Sequence, residues 1–254
     1  MSKGRVLAIG AHPDDVEFIA GGTLNLLRRA KGDNIEIYII TVSNGNMGSA
    51  ELEPVDLRET RWREANAAAE VIGAHYDTCD IDDLRADIDR HKAKDILVGR
   101  IRQIKPDIVL THSPKDVYMP DHRVTPWIVS DALFCAMLPN YDPSERTGDI
   151  RTRRGREGSL KVYRYSREGV LHLPALYYGD PYPCHDIHGE KQVPTFVVDI
   201  SSTMDIKVQM LLKHQSQGAW LKQGHGDSDY IRTAKEWNQA IFSDRIGGEG
   251  YAEA

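Results

Sequence analysis

Short, continuous apolar runs alternate along this chain with longer stretches whose apolar positions recur every three or four residues. Val6-Leu7-Ala8-Ile9 is the first run, and consecutive apolar residues suit a strand covered on both faces. Val16, Ile19, Ala20, Leu24 and Leu27 follow it at helical spacing. The same alternation predicts strands at about residues 5–10, 35–42 and 107–111, a weaker one around Tyr76-Asp77-Thr78, and helices at about 16–31, 55–72, 88–104 and 123–137. Strands separated by helices imply an α/β fold: a Rossmann-like, mostly parallel sheet with right-handed crossovers and helices on both faces. Periodicity fails between about 138 and 192, where Pro, Gly, Tyr and charged residues dominate, so this stretch reads as an irregular insertion near a site. Pro194 to Ile200 reads as a further strand, followed by helices near 203–216 and 227–243, and Gly247, Gly248 and Gly250 suggest a loose tail. All 254 residues are expected to form a single domain.

The chemistry sits where two of these strands end. Ala11-His12-Pro13-Asp14-Asp15-Val16-Glu17 lies between the first strand and the first helix, and open α/β sheets bind ligands at the carboxyl ends of their strands. An imidazole beside a carboxylate is half of a zinc shell. Tyr118-Met119-Pro120-Asp121-His122-Arg123, after the strand Ile108-Val109-Leu110-Thr111, can supply the rest. His12, Asp15 and His122 would then hold a catalytic metal with positions open for water and substrate, leaving Asp14 free to transfer protons. The competing explanation is that Asp14 and Asp15 are acids suited to a helix N-terminus and His12 a satisfied turn residue. A second loop of the same kind after a second strand favours the metal site.

These motifs resemble the zinc-dependent N-deacetylases of the PIG-L/LmbE-like family. The resemblance rests on Ala11-His12-Pro13-Asp14-Asp15 with Glu17 and Gly21-Gly22, on Arg61-Trp62-Arg63-Glu64, on His112-Ser113-Pro114 through Asp121-His122, and on His214-Gln215-Ser216-Gln217. It implies a Zn2+ held by His12, Asp15 and His122, with Asp14 as general base and Arg61 facing the substrate; Fe2+ also accepts two histidines and a carboxylate. It also implies a homo-oligomer, and a small-molecule substrate of the N-acetylglucosamine-conjugate type from which acetate is released. Arg61 could instead pair with Glu64 on a helix surface. One position departs from the family: many members carry an assisting histidine where this chain has Met119, and a thioether has no proton to give. His214, or else His112, is the candidate to polarise the carbonyl in its place, although a histidine at a helix end can serve the dipole alone. Asn44, or else Asn46, and Tyr178 are candidate substrate contacts, the asparagines in a turn after the second strand whose glycines, Gly45 and Gly48, would allow close backbone approach, the tyrosine in an aromatic run that could pack on a sugar face.

Composition narrows the alternatives. A hydrophobic content of 41% can build a substantial core, yet no apolar run reaches the roughly eighteen residues of a membrane span. The formal charge of -6 argues against nucleic-acid binding, despite the basic run from Arg151 to Arg156. The 3 cysteines, Cys79, Cys135 and Cys184, form no metal or disulfide pattern and suit reduced thiols in a cytoplasmic protein. Two rivals to the deacetylase reading are an amidase for another small N-acyl substrate and a non-enzymatic Rossmann-type nucleotide- or sugar-binding protein. The second is weakened by a first loop that places acids where a pyrophosphate would need a glycine-rich turn.

Overall fold

The computed structural model describes residues 3–143, 173–181, 184–186, 188–224 and 230–254. Five parallel strands form the central sheet: β1 (Gly4–Gly10), β2 (Ile35–Ser43), β3 (His75–Ile81), β4 (Ile108–His112) and β5 (Ala175–Gly179), in the order β3-β2-β1-β4-β5. The helices are α1 (Asp15–Lys31), α2 (Pro54–Val71), α3 (Arg90–Ile104), α4 (Pro120–Ala136), α5 (Met204–Leu211), α6 (Gln215–Gly224) and α7 (Tyr230–Arg245). A second, antiparallel pair joins β6 (Val198–Asp199) to β7 (Ala252–Glu253).

The pleat of β1 explains why an unbroken apolar run was needed there. Val6 and Ala8 enter a core with Val16, Ala20 and Leu24 of α1 and Ala68 and Ala69 of α2. Leu7 and Ile9 enter the opposite core with Leu97 and Ile101 of α3 and Ile128 and Val129 of α4. Both sides are therefore covered, as the sequence pattern implies. Among the described residues, no helix is long and apolar enough to cross a membrane.

Four features differ from the sequence reading. The irregular stretch contains β5, an edge strand of which no residue is fully buried, so it needs little apolar pattern. The single helix expected near 203–216 is broken between α5 and α6 at Leu212, Lys213 and His214. The strand expected to end at Ile200 is reduced to β6 in the small sheet. The glycine-rich segment is not a loose tail, because it returns β7 to the body of the protein: Gly250 leaves space for the Phe242 ring, and the Glu253 carboxylate accepts the Gly22 and Thr23 N–H groups, each at 2.8 Å. Lys207 Nζ, fully buried, donates to Glu253 at 2.7 Å and to the Phe18 carbonyl at 2.6 Å. The basic run from Arg151 to Arg156 lies outside the described residues.

Candidate active site

The sheet order reverses at β1, which neighbours both β2 and β4, so the loops after β1 and β4 leave a crevice between them. Such a switch point is where open α/β sheets place ligands. His12 and Asp14 occupy the turn after β1, and Asp15 opens α1. His112 ends β4, Asp116 follows in the loop, and Asp121 and His122 stand in the first turn of α4. Pro120 at the start of α4 explains that boundary, which lies earlier than the helical spacing suggested: a proline costs nothing where the N–H has no helical partner.

The turn is held from within. His12 N–H donates to Asp15 Oδ2 at 2.7 Å, and Asp14 has φ of 110°, in the left-handed region that side-chain-bearing residues seldom occupy. His12 Nδ1 lies 3.5 Å from Asp15 Oδ2, His122 Nε2 lies 3.3 Å from Asp15 Oδ1, and one ligand atom from each of the three residues falls within 4.8 Å of the others. His122 Nε2 is buried and makes no hydrogen bond. The far nitrogens are occupied: His12 Nε2 is 3.1 Å from Asp121 Oδ2, and His122 Nδ1 is 3.2 Å from Asp116 Oδ2. Carboxylates on the outer nitrogens fix the tautomers that turn an inner lone pair toward a shared point, so this donor set fits a divalent metal. His112, Asp116 and His122 form a second possible group that shares His122. There, however, Asp116 is already engaged by His122 and by the Tyr118 N–H at 2.9 Å.

The electrostatics follow from packing acids and imidazoles together out of water. Burial opposes the imidazolium form of His122, but the nearby charge of Asp15 and the hydrogen bond to Asp116 push its pKa up to about 9. Burial likewise works against ionised Asp116, yet His112 and His122 hold it down to about 2. Asp14 moves the other way: burial raises its pKa against the lowering charges of Arg61 and His214 and a hydrogen bond from Tyr230.

Beside this centre is a cavity of about 550 Å³. His12, Asp14, Asp15, Arg61 and His122 all line it, so the structure brings these five predicted residues together. Arg61 is buried, donates to the Pro13 carbonyl and to Gln217, and approaches Asp14 Oδ1 at 3.3 Å. Its path runs over Gly45, where an added Cβ would stand 2.7 Å from Arg61 Nε, so the close approach expected of that glycine is made to the arginine. Glu64 serves Ser216, accepting its N–H at 2.8 Å and its hydroxyl at 2.6 Å.

Three predicted residues are not on the cavity wall. Asn44 is buried with its amide donating to Asp80 and Asp82, each at 3.2 Å, which binds the β2 and β3 loops together. Tyr178 is in edge strand β5 and 43% exposed. His214 is buried between α5 and α6, with Nε2 3.2 Å from Glu17 Oε1 and Nδ1 making no hydrogen bond. The sequence reading missed Asp116 as a partner of His122, although the acid-histidine spacing was visible. Gln217, the last residue of the fourth family motif, lines the cavity although no role was assigned to it, and Trp220, Tyr230 and Trp237 were missed as lining residues, since no local pattern ties these three positions to loops some 200 residues earlier.

The class of protein is thus an α/β fold with a Rossmann-like sheet that brings a buried His/Asp/His group able to hold a metal, with Asp14 beside it, to the switch point where such sheets place small molecules. The chain belongs to the family described as PIG-L: GlcNAc-PI de-N-acetylase, whose profile matches residues 7–133. It is 26% identical over 257 residues to the diacetylchitobiose deacetylase of Thermococcus kodakarensis, covering 98% of this chain and 81% of that protein. It is 30% identical over 150 residues to the 4-oxalmesaconate hydratase of Pseudomonas putida, covering 55% of each. The fold matches the crystal structure of the 4-carboxy-2-hydroxymuconate hydratase of Pseudomonas putida with a TM-score of 0.70 and 23% identity, over 99% of this chain and 94% of that one.

Proposed function

We propose that this protein removes the N-acetyl group of an N-acetylglucosamine-type conjugate, with a zinc ion held by His12, Asp15 and His122. The observation that carries the reading is the orphaned, buried Nε2 of His122 facing His12 and Asp15, with the carboxylate of Asp14 beside them on the same cavity. The family description and the Thermococcus kodakarensis relative both concern N-acetylglucosamine units, which supports the substrate class. Ferrous iron accepts the same donors, and metal analysis of the purified protein distinguishes the two.

A divalent ion bound there would polarise the acetyl carbonyl and lower the pKa of water. Asp14 takes a proton from the attacking water, whose oxygen bonds to the acetyl carbon. The C–N bond then breaks, and Asp14 passes the proton to the leaving nitrogen, so that acetate and a free amine result. Burial raises the pKa of Asp14, and a more basic carboxylate is a better acceptor for the proton of water. Arg61 keeps that carboxylate from being an isolated buried charge and, lining the cavity, is better placed than His214 to meet negative charge developing on the substrate. Trp220 on the wall is an aromatic side chain of the kind that suits a sugar ring.

The hydratase relative supports a second reading, addition of water to an unsaturated polycarboxylate. The cavity opposes it: Arg61 is the one Lys or Arg lining it among the described residues, and Asp14 already balances that charge. Both readings meet one experiment, in which metal-loaded protein is given a panel of N-acetylglucosamine conjugates and an unsaturated dicarboxylate. Acetate release that stops with chelator and returns with zinc is expected. Hydration of the dicarboxylate with no acetate from any conjugate would replace the first reading by the second.

A further inference from the structure

We propose that Tyr230, the first residue of α7, is a positioning residue that holds the Asp14 carboxylate in its working orientation. The inference rests on the deacetylase reading. Tyr230 Oη donates to Asp14 Oδ2 at 2.8 Å across 216 residues of sequence, while Arg61 reaches Oδ1 at 3.3 Å from the other side. Each oxygen of the carboxylate therefore has its own anchor. With one anchor alone it could pivot, and a reacting group misplaced by about an ångström can cost about a hundredfold in rate.

Tyr230 is itself well seated. It is buried, lines the cavity, and meets the Phe18 ring edge-on at a centroid distance of 5.0 Å. Burial and the neighbouring Asp14 charge keep its hydroxyl protonated, so it remains a donor throughout the pH range of proton transfer to Asp14. Met119, also on the wall, offers no such proton. The donor missing from the β4 loop is thus matched by one arriving from α7, acting on the base instead of on the substrate.

A structural bolt between α7 and α1 would look the same in a stability assay of one variant, so the test is a double-mutant cycle in the metal-loaded full chain with Tyr230→Phe, Asp14→Asn and both together. Phenylalanine keeps the ring against Phe18. Tyr230→Phe is expected to lower kcat roughly tenfold or more with KM within about twofold, and to cost nothing further in the Asp14→Asn background. Parental kcat in Tyr230→Phe, or losses that multiply in the double variant, would overturn the proposal. The same cycle followed by urea unfolding needs no substrate: non-additive midpoints support the contact and additive ones overturn it. A parent protein that releases no acetate from any N-acetylated sugar would refute the deacetylase reading, and the unfolding cycle would still decide whether Tyr230 holds Asp14.

Discussion

The region from β1 to α4 and the region from α5 to β7 build one cavity by different means. The first supplies His12, Asp14, Asp15, Arg61, Asp116 and His122, of which His12, Asp14, Asp15 and His122 come from the turn after β1 or from first helical turns, and it falls within residues 7–133 that match the family. The second supplies Gln217, Trp220, Leu221, Tyr230 and Trp237, which lie on helices packed across the opening. Donor atoms that must converge within a few ångströms are best placed on the ends of neighbouring strands, whose spacing the backbone ladder fixes. Wall residues tolerate looser placement, and helices can supply them. Tyr230 crosses that division, since it comes from the second region but touches the base of the first.

The division can be broken most strongly at the metal. His122→Ala should strip the ion and lower turnover roughly a thousandfold, the scale of several kcal/mol of Lewis-acid stabilisation. Metal analysis beside acetate release checks it; full occupancy in the variant would remove His122 from the ligand set. Asp14→Asn should keep the metal and lose about a hundredfold or more in kcat, the usual contribution of a positioned general base. Parental turnover in that variant would make Asp14 structural.

Smaller effects sharpen the picture around the ligands. Asp121→Asn leaves the imidazole of His12 without its carboxylate, and metal affinity should fall by about 10- to 100-fold, measured by chelator competition. The same measurement has a pH arm. His122 in the metal-free protein titrates at about 9 and must be neutral to ligate, so protons compete below that value. Metal affinity should therefore climb as pH rises from about 6.5 towards 9. An affinity flat over that range would contradict the assignment. The smallest effect belongs to Met119→His, where a cavity-lining histidine is expected to be tolerated, with any gain in kcat below the hundredfold or so of an aligned acid.

Legibility followed the same boundary. β1, β2 and β4 could be read because central parallel strands must be apolar on consecutive positions, and the proposed ligands could be nominated because His12 and Asp15 follow β1 at once and His122 lies in the first turn of the helix after β4. β5 could not, since an edge strand buries only part of its surface. The start of α4 was readable from Pro120, but the helical spacing of apolar residues beyond it pointed further along the chain. The contacts of Tyr230 with Asp14 and of Glu253 with Gly22 leave no local trace, because nothing in a tyrosine or a glutamate announces a partner more than 200 residues away. Gly22 is the exception from the other side: an added Cβ would stand 2.7 Å from Ile200, so one member of the family's glycine pair is a packing requirement of the second region.

The late position of Tyr230 and Glu253 has a consequence for biosynthesis. About 100 residues separate His122 from Tyr230, and at about 5–20 residues per second the ribosome needs roughly 5 to 20 seconds to deliver one after the other. During that interval the nascent chain carries His12, Asp14, Asp15 and His122 but neither the phenol on the Asp14 carboxylate nor the Glu253 carboxylate that grips α1. On the proposed ligand assignment, His12, Asp15 and His122 would be available to a metal before the anchor of Asp14 has been made, and translation itself would set the delay between them.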